Sequence, residues 1–259
     1  MRKSFFCLIL LIFITIGSVG CNNKKVEKNN EITVFAASSM TESMEEIKQE
    51  FEKNNPDIKI VLNLDSSSRL RTQIENGVKP DIFISANEKH CKLLQEKGIT
   101  DNKEQLLNNS MVLIVPSDNP CNIENLNDLR NKCDVVIAQK EVPAGDYALR
   151  ILDNLNDKYG KDYKDSVLKN VVSEENNVKQ VVTKVVLKEA QAAFVYSSDV
   201  TNKIKDKVKV IDIPKEYNVN ATYWSSVFND NEECLKFYEY LKGDQGKIIF
   251  KKYGFEPYI

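Results

Sequence analysis

The sequence predicts an α/β fold made of two α/β lobes, and three observations carry that expectation. From Glu31 onward, short β-branched runs alternate with stretches of helical periodicity, the pattern of a mostly parallel sheet with crossover helices. The run MVLIVP (111–116) follows a polar stretch, and after it the pattern restarts as if for a second unit. The chain has 259 residues, enough for one large or two medium domains once its first residues are set aside.

Those first residues, MRKSFFCLILLIFITIGSVGC, read as an export signal. Arg2 and Lys3 make a basic start, and Phe5 to Ile16 make an apolar core. That core is too short to span the ~30 Å of bilayer hydrocarbon as a permanent helix. Ser18-Val19-Gly20-Cys21 resembles a bacterial lipobox, which implies that Cys21 carries lipid and anchors the mature chain to the outer face of the cell membrane. Cleavage by ordinary signal peptidase near Gly20 is the alternative and gives a periplasmic or secreted protein. Residues 1–20 are thus read as a lipoprotein signal peptide, and 21–31, with almost no apolar side chain, as a tether. Losing Arg2 and Lys3 takes the formal net charge from −2 to −4, so no basic nucleic-acid surface is indicated.

The elements follow in order. ITVFAA opens the domain as a strand, and Met40 to Asn54 continues as a helix with Met40, Met44, Ile47 and Phe51 at helical spacing, stopped by Asn55-Pro56-Asp57. Strand 58–64, a serine triplet at 66–68, helix 69–76 and strand 81–86 complete the first unit. After strand 111–116 come a short helix at 125–130, a strand at 134–139, a helix at 144–155, a strand at 169–173, a helix at 177–189 and a strand at 192–199. Strand 222–228 and a single helix at 232–253 close the chain.

Metal and redox chemistry find little support. Cys91, Cys121, Cys133 and Cys234 form no C-x-x-C pair, and His90 is the sole histidine, so a zinc site is not expected. Export permits a Cys121–Cys133 disulfide, with free thiols as the plainer reading. His90, within ANEKHCKLL, reads as an exposed helix residue.

Parallel strands place ligand groups at their carboxyl ends, where loops enter helices. Three such junctions share one chemistry: Ala37-Ser38-Ser39-Met40, Asp65-Ser66-Ser67-Ser68-Arg69 and Val142-Pro143-Ala144-Gly145-Asp146-Tyr147. Each sets small, neutral donors at a helix start, where unpartnered backbone N–H groups and the helix dipole bind anions without a lysine or arginine. Each junction also has a purely structural reading. Ser39 with Glu42 fits a capping box, Ser66–Ser68 fits a cap and turn, and Pro143-Ala144-Gly145 fits an ordinary loop into a helix.

Taken in order, ITVFAASSM, SSSRLRTQIENGVKPDIFISANEKH, VPAGDYA, ENNVKQVVTKV, AAFVYSSD and FYEYLKGDQGKIIFKKYGF resemble the molybdate-binding proteins of ABC transporters, a branch of the type II periplasmic binding proteins. The resemblance runs from Glu31 to Phe255. It implies two Rossmann-like α/β lobes joined by a two-segment hinge, with 31–112 and 218–259 as one lobe and 113–217 as the other. It also implies a molybdate or tungstate oxyanion held between the lobes, delivery to an ABC permease, no cofactor, no nucleic acid and a monomeric chain.

Carried over to this sequence, the resemblance makes Ser39 and Ser67 hydroxyl and backbone donors, Ala144 and Val178 backbone donors, and Tyr196 a phenol donor. Without it, Val178 reads as the first apolar residue of an amphipathic helix and Tyr196 as a core side chain. Asp65 and Arg69 depart from the pattern. Asp65 is expected to face solvent or cap the helix behind it, and Arg69 to be a solvated surface residue.

A tetrahedral dianion accepts hydrogen bonds only, so donors alone suit it, whereas phosphate keeps a proton at neutral pH and wants an acceptor. Another oxyanion such as sulfate or phosphate is the alternative ligand. An enzyme on the same fold is a further one, for which the chain offers His90 as the only imidazole base and no G-x-S-x-G elbow.

Overall fold

A computed structural model describes residues 30–131 and 133–258. The export signal, Cys21 and all but the end of the tether lie outside the described residues, and Glu31 already belongs to the first strand.

The chain runs β1 (Glu31–Ala37), a 3-10 turn (Ser38–Met40), α1 (Thr41–Asn54), β2 (Lys59–Asp65), α2 (Ser67–Glu75), β3 (Ile82–Ser85), α3 (Glu88–Glu96) and β4 (Glu104–Pro116). It continues through a 3-10 turn (Leu126–Arg130), β5 (Val135–Ala138), α4 (Pro143–Tyr159), α5 (Tyr163–Leu168), β6 (Val171–Glu175), α6 (Val178–Val186), β7 (Ala192–Tyr196) and a 3-10 turn (Ser197–Asp199). Last come β8 (Val208–Asp212), β9 (Asn220–Val227), α7 (Glu232–Lys242), α8 (Asp244–Lys252) and β10 (Glu256–Pro257).

The strands lie in the order β2-β1-β3-β9-β4-β7-β5-β6, with β8 and β10 also pairing with β4. β1 is parallel to β2 and β3, and β5 is parallel to β6 and β7, as the crossover helices require. The strand β4 joins the two groups. Its first half pairs antiparallel with β9, and its second half, Met111 to Pro116, runs between β7 and β8. The return crossing meets it at the same level, where the Asn218 amide donates to the Met111 carbonyl over 2.9 Å.

Apolar spacing decides which helix faces are buried. Met44, Ile47 and Phe51 of α1 point into the core, and Phe51 packs edge-on against Phe237 of α7 with ring centres 4.9 Å apart. In α6 the buried set is Val178, Val181, Val182 and Val185.

Four expectations fail for identifiable reasons. The polar stretch before MVLIVP is strand from Glu104, because Leu106 and Leu107 are buried there and Asn109 is buried with its amide hydrogen-bonded. The C-terminal helix is two helices, turned at Gly243. At Gly246 a Cβ would stand 2.3 Å from the Leu241 carbonyl oxygen, so only glycine lets α8 start so close to α7. The strand β8 and helix α5 have no counterpart in the sequence pattern, β8 because it is a short edge strand whose Lys209 and Val210 face solvent. Residues 197–199 leave the strand as a 3-10 turn.

Candidate functional site

The carboxyl ends of β1, β2, β3, β5 and β7 and the starts of α2, α4 and α6 enclose one small cavity. Its walls are Ala37, Ser38, Ser39, Ser66, Ser67, Ala86, Val142, Pro143, Ala144, Val178 and Tyr196. All five residues singled out from the sequence, Ser39, Ser67, Ala144, Val178 and Tyr196, are therefore brought together, although they are spread over more than 150 positions of chain. The space open to the centre of a water-sized sphere is about 10 Å³, room for one compact body rather than an extended molecule.

Two of the three helix starts keep their backbone donors free of side-chain caps. Neither Ser66 before α2 nor Val142 before α4 makes a side-chain cap, and Pro143 opens α4 as its first residue. At α6 the start is capped, Asn177 accepting from the Gln180 N–H at 3.1 Å, a bond that does not use the Val178 N–H at the cavity wall. At Gly145 a Cβ would stand 2.2 Å from the Gln139 carbonyl oxygen and 2.3 Å from that of Ala138. Glycine thus permits α4 to press its N-terminus onto the end of β5, which is what brings Ala144 to the cavity wall.

Each hydroxyl at the cavity has a different situation. Ser67 Oγ accepts from the Ala86 N–H over 2.9 Å, so its own proton is not used in that bond. Ser39 Oγ lies 2.7 Å from the Tyr223 hydroxyl. The Ser39–Glu42 capping box does not form, because Ser39 turns to Tyr223 and no side chain caps α1. The Tyr196 hydroxyl is buried with no hydrogen-bond partner among the described residues, on a side chain only 1% exposed. Burial pushes its phenol well above the usual range, so it is a neutral donor at any ordinary pH. The rings of Tyr147 and Tyr223 hold it edge-on at 6.3 and 5.9 Å.

No charged side chain lines the cavity. Just outside, Lys179 of α6 pairs with Glu42 at 2.7 Å and with the fully buried Asp199 at 3.3 Å, and Asp199 also accepts from the Tyr196 N–H. Desolvation raises the Asp199 carboxyl to about 6 against the pull of Lys179. Asp65 accepts from the Ser66 N–H at 2.8 Å and the Asn177 amide at 3.1 Å, and it holds the half-exposed Arg69 at 3.2 Å. Arg69 is therefore occupied with Asp65, and Asp65 ties two helix starts together instead of facing solvent.

His90 corrects another expectation. It is 2% exposed, its ring accepts from Arg71 Nε at 3.2 Å, and burial lowers its pKa to about 4. A larger cavity of about 560 Å³ lies by Glu42, Glu45, Glu46 and Glu50, whose carboxylates make it a poor place for an anion. Among the described residues no group of three or more His, Cys, Asp or Glu could hold a metal ion, and Cys91, Cys121, Cys133 and Cys234 are free thiols.

Sequence reasoning missed the outer residues: Tyr223, Asn109, Lys179 and Asp199. Tyr223 carried a weak signal, since in ATYWSSV it alternates with Ala221 and Ser225 on the inward face of β9. Asn109 carried none.

Comparison with known proteins agrees with this architecture. The family described as bacterial extracellular solute-binding protein matches residues 32–256. Molybdate-binding protein ModA of Haemophilus influenzae is 32% identical over 238 residues, covering 87% of this chain and 89% of its own. In fold alone, the periplasmic molybdate-binding protein of Azotobacter vinelandii superposes with a TM-score of 0.74 at 19% identity, over 86% of this chain and 98% of its own. The sulfate-binding protein SubI of Mycobacterium tuberculosis gives 0.78 at 15% identity, over 88% of this chain and 87% of its own.

Proposed function

This chain belongs to the family of bacterial extracellular solute-binding proteins, and from that premise we propose that it captures molybdate, and tungstate with it, for delivery to an ABC permease. The ion is held as an oxyanion by hydroxyl and backbone N–H groups of Ser39 and Ser67, the backbone N–H groups of Ala144 and Val178, and the phenol of Tyr196. The observation that carries this reading is the Tyr196 hydroxyl, a buried donor without a partner that lines a cavity where three helix starts meet, two of them without a side-chain cap.

The chemistry is that of a neutral, donor-rich site. Hydrogen bonds to a charged group contribute ~1.5 to 3 kcal/mol each. About six of them, less desolvation and ordering costs, reach the ~8 kcal/mol of micromolar binding. The anion's charge is met by helix dipoles rather than by a cation, so no strong ion pair has to be broken on release.

The lobes are 31–112 with 218–259, and 113–217. Closure is a hinge movement about β4 and the segment before β9. Contacts between the two assigned segments support a closed arrangement: Asp65 with Asn177, Glu42 with Lys179, and the Tyr147 hydroxyl donating to the Ala86 carbonyl at 3.1 Å. Lipid on Cys21 tethers a monomeric chain to the outer face of the cell membrane, and the role is carriage rather than turnover.

Titration calorimetry with molybdate, tungstate, sulfate and phosphate tests the reading. Molybdate and tungstate are expected to bind at micromolar concentration or below and to exclude the other two. Sulfate or phosphate binding more tightly than molybdate overturns the ligand assignment. Scattering curves that do not change on adding molybdate overturn the hinge.

A further inference from the structure

We propose that Tyr147 is a positioning residue for the oxyanion: its hydroxyl, carried on α4, pins the end of β3 at Ala86, and Ala86 in turn aims the Ser67 hydroxyl proton into the cavity. The inference rests on the reading of that cavity as an oxyanion site. Ser67 and Ala86 line the cavity, and Tyr147 stands behind its wall.

Two bonds carry the argument, and the chemistry of their atoms fixes both directions. A carbonyl oxygen only accepts, so the Tyr147 hydroxyl is the donor to Ala86, over 3.1 Å. A backbone N–H only donates, so Ser67 Oγ is the acceptor from Ala86, over 2.9 Å. Ser67 therefore keeps its own proton, which meets no acceptor among the described residues and has the cavity as its remaining direction. The peptide between Ala86 and Asn87 is gripped at its other end too, where the Asn87 N–H donates to Ser85 Oγ at 3.2 Å. Tyr147 thus holds one of the two peptides that meet at Ala86, and the other peptide sets the serine.

The reach comes from the start of α4. Tyr147 follows Ala144 by three residues and shares its face of the helix, so the turn that brings Ala144 to the cavity wall also sends the phenol to the end of β3. On the lobes proposed above, donor and acceptor belong to different lobes, and Ser67 is fully aimed only when the two meet. Tyr147 and Ala86 are each 3% exposed and Ser67 is 1% exposed, so water does not stand in for the phenol hydroxyl once it is removed. The Tyr147 ring makes separate contacts, edge-on to the Tyr196 ring at 6.3 Å and beneath the Arg150 guanidinium at 5.6 Å. Phenylalanine keeps the ring and deletes the hydroxyl alone.

The test is calorimetry at pH 7 with molybdate as titrant, on the full mature chain and on Y147F, S67A, S39A, S67A/Y147F and S39A/Y147F, with thermal melting of each variant without ligand. Y147F is expected to melt as a folded protein and to weaken molybdate about fivefold, as loss of one hydrogen bond would. S67A/Y147F is expected to bind within about twofold of S67A, because Tyr147 acts through Ser67. S39A/Y147F is expected to show the full further loss of about fivefold relative to S39A, since Ser39 lies outside the relay. General loosening of the site would give the same further loss in both serine backgrounds, and that result overturns the inference. So does molybdate binding by Y147F within twofold of wild type, and so does a Y147F chain that no longer folds, which would assign the hydroxyl to the core. A wild-type chain that binds no molybdate overturns the functional reading and this inference together, whereas wild-type binding with an unaffected Y147F overturns the inference alone.

Discussion

Lys179 on α6 donates to the Glu42 carboxylate on α1 over 2.7 Å, joining the helix after β6 to the helix after β1 beside the cavity. The same ammonium is the counter-charge of the buried Asp199. Replacing Lys179 by Met leaves two carboxylates facing each other near an anion site, one of them without access to water. Removing one partner of a buried pair costs far more than the pair contributes. K179M is expected to weaken molybdate at least about tenfold and to lower the melting temperature. Binding unchanged from wild type would show that the contact plays no part in closing the cavity.

The two serines of the first junction should behave differently. Ser39 Oγ is bonded to Tyr223, while Ser38 is engaged through its backbone carbonyl, which accepts from the Thr41 hydroxyl at 2.7 Å. S39A is expected to weaken molybdate by roughly ten- to a hundredfold, the range for one hydrogen bond to a charged group. S38A is expected to stay within about twofold. Equal losses in calorimetry would mean that the pair acts as one unit.

Tyr196 offers a test that separates a ligand group from a core group. Its unpartnered hydroxyl costs stability in the empty protein. Y196F should therefore melt at or above the wild-type temperature without ligand, yet bind molybdate about tenfold or more weakly. A variant that loses stability and keeps its affinity would place the hydroxyl in the core alone.

Asp199 gives a pH dependence with a definite sign. Its carboxyl is raised from 3.8 to about 6 by desolvation, so the folded chain holds the proton more tightly than the unfolded chain does. Its contribution to stability is complete below about pH 4 and is lost as pH rises through about 6. Urea unfolding of wild type and D199N should show the wild type losing ground to the variant between about pH 4 and pH 7. A constant difference across that range would contradict the assignment.

Much of the architecture was legible because it rests on local patterns. The Met44, Ile47, Phe51 spacing gave α1, and the β-branched runs gave β1, β3, β5 and β7. The cavity walls were legible for another reason: small residues at strand-to-helix junctions form motifs that survive as short words in the chain. What surrounds them was not. Tyr223 meets Ser39 across 184 positions and Lys179 meets Glu42 across 137, contacts made by topology and not by any local word. The first half of β4 was hidden because its polar residues, Asn109 above all, are buried by partners far along the chain. His90 was misjudged for the same reason, since Arg71 from the preceding helix is what makes its burial tolerable.

The 13 residues of β4 pass without a break from one group of strands into the other, with neighbours on both edges. A strand laced on both sides has no slack at which to fold like a door. On the proposed hinge reading, β4 would turn by twisting along its length, as a torsion bar does, rather than by unzipping. Hydrogen exchange should then find the amides of residues 112–115 among the slowest in the molecule, with or without molybdate. If they quicken on removal of the anion, β4 unzips instead of twisting. If they stay slow in both states, the segment about which the proposed lobes would turn is also one of the most tightly fastened in the molecule.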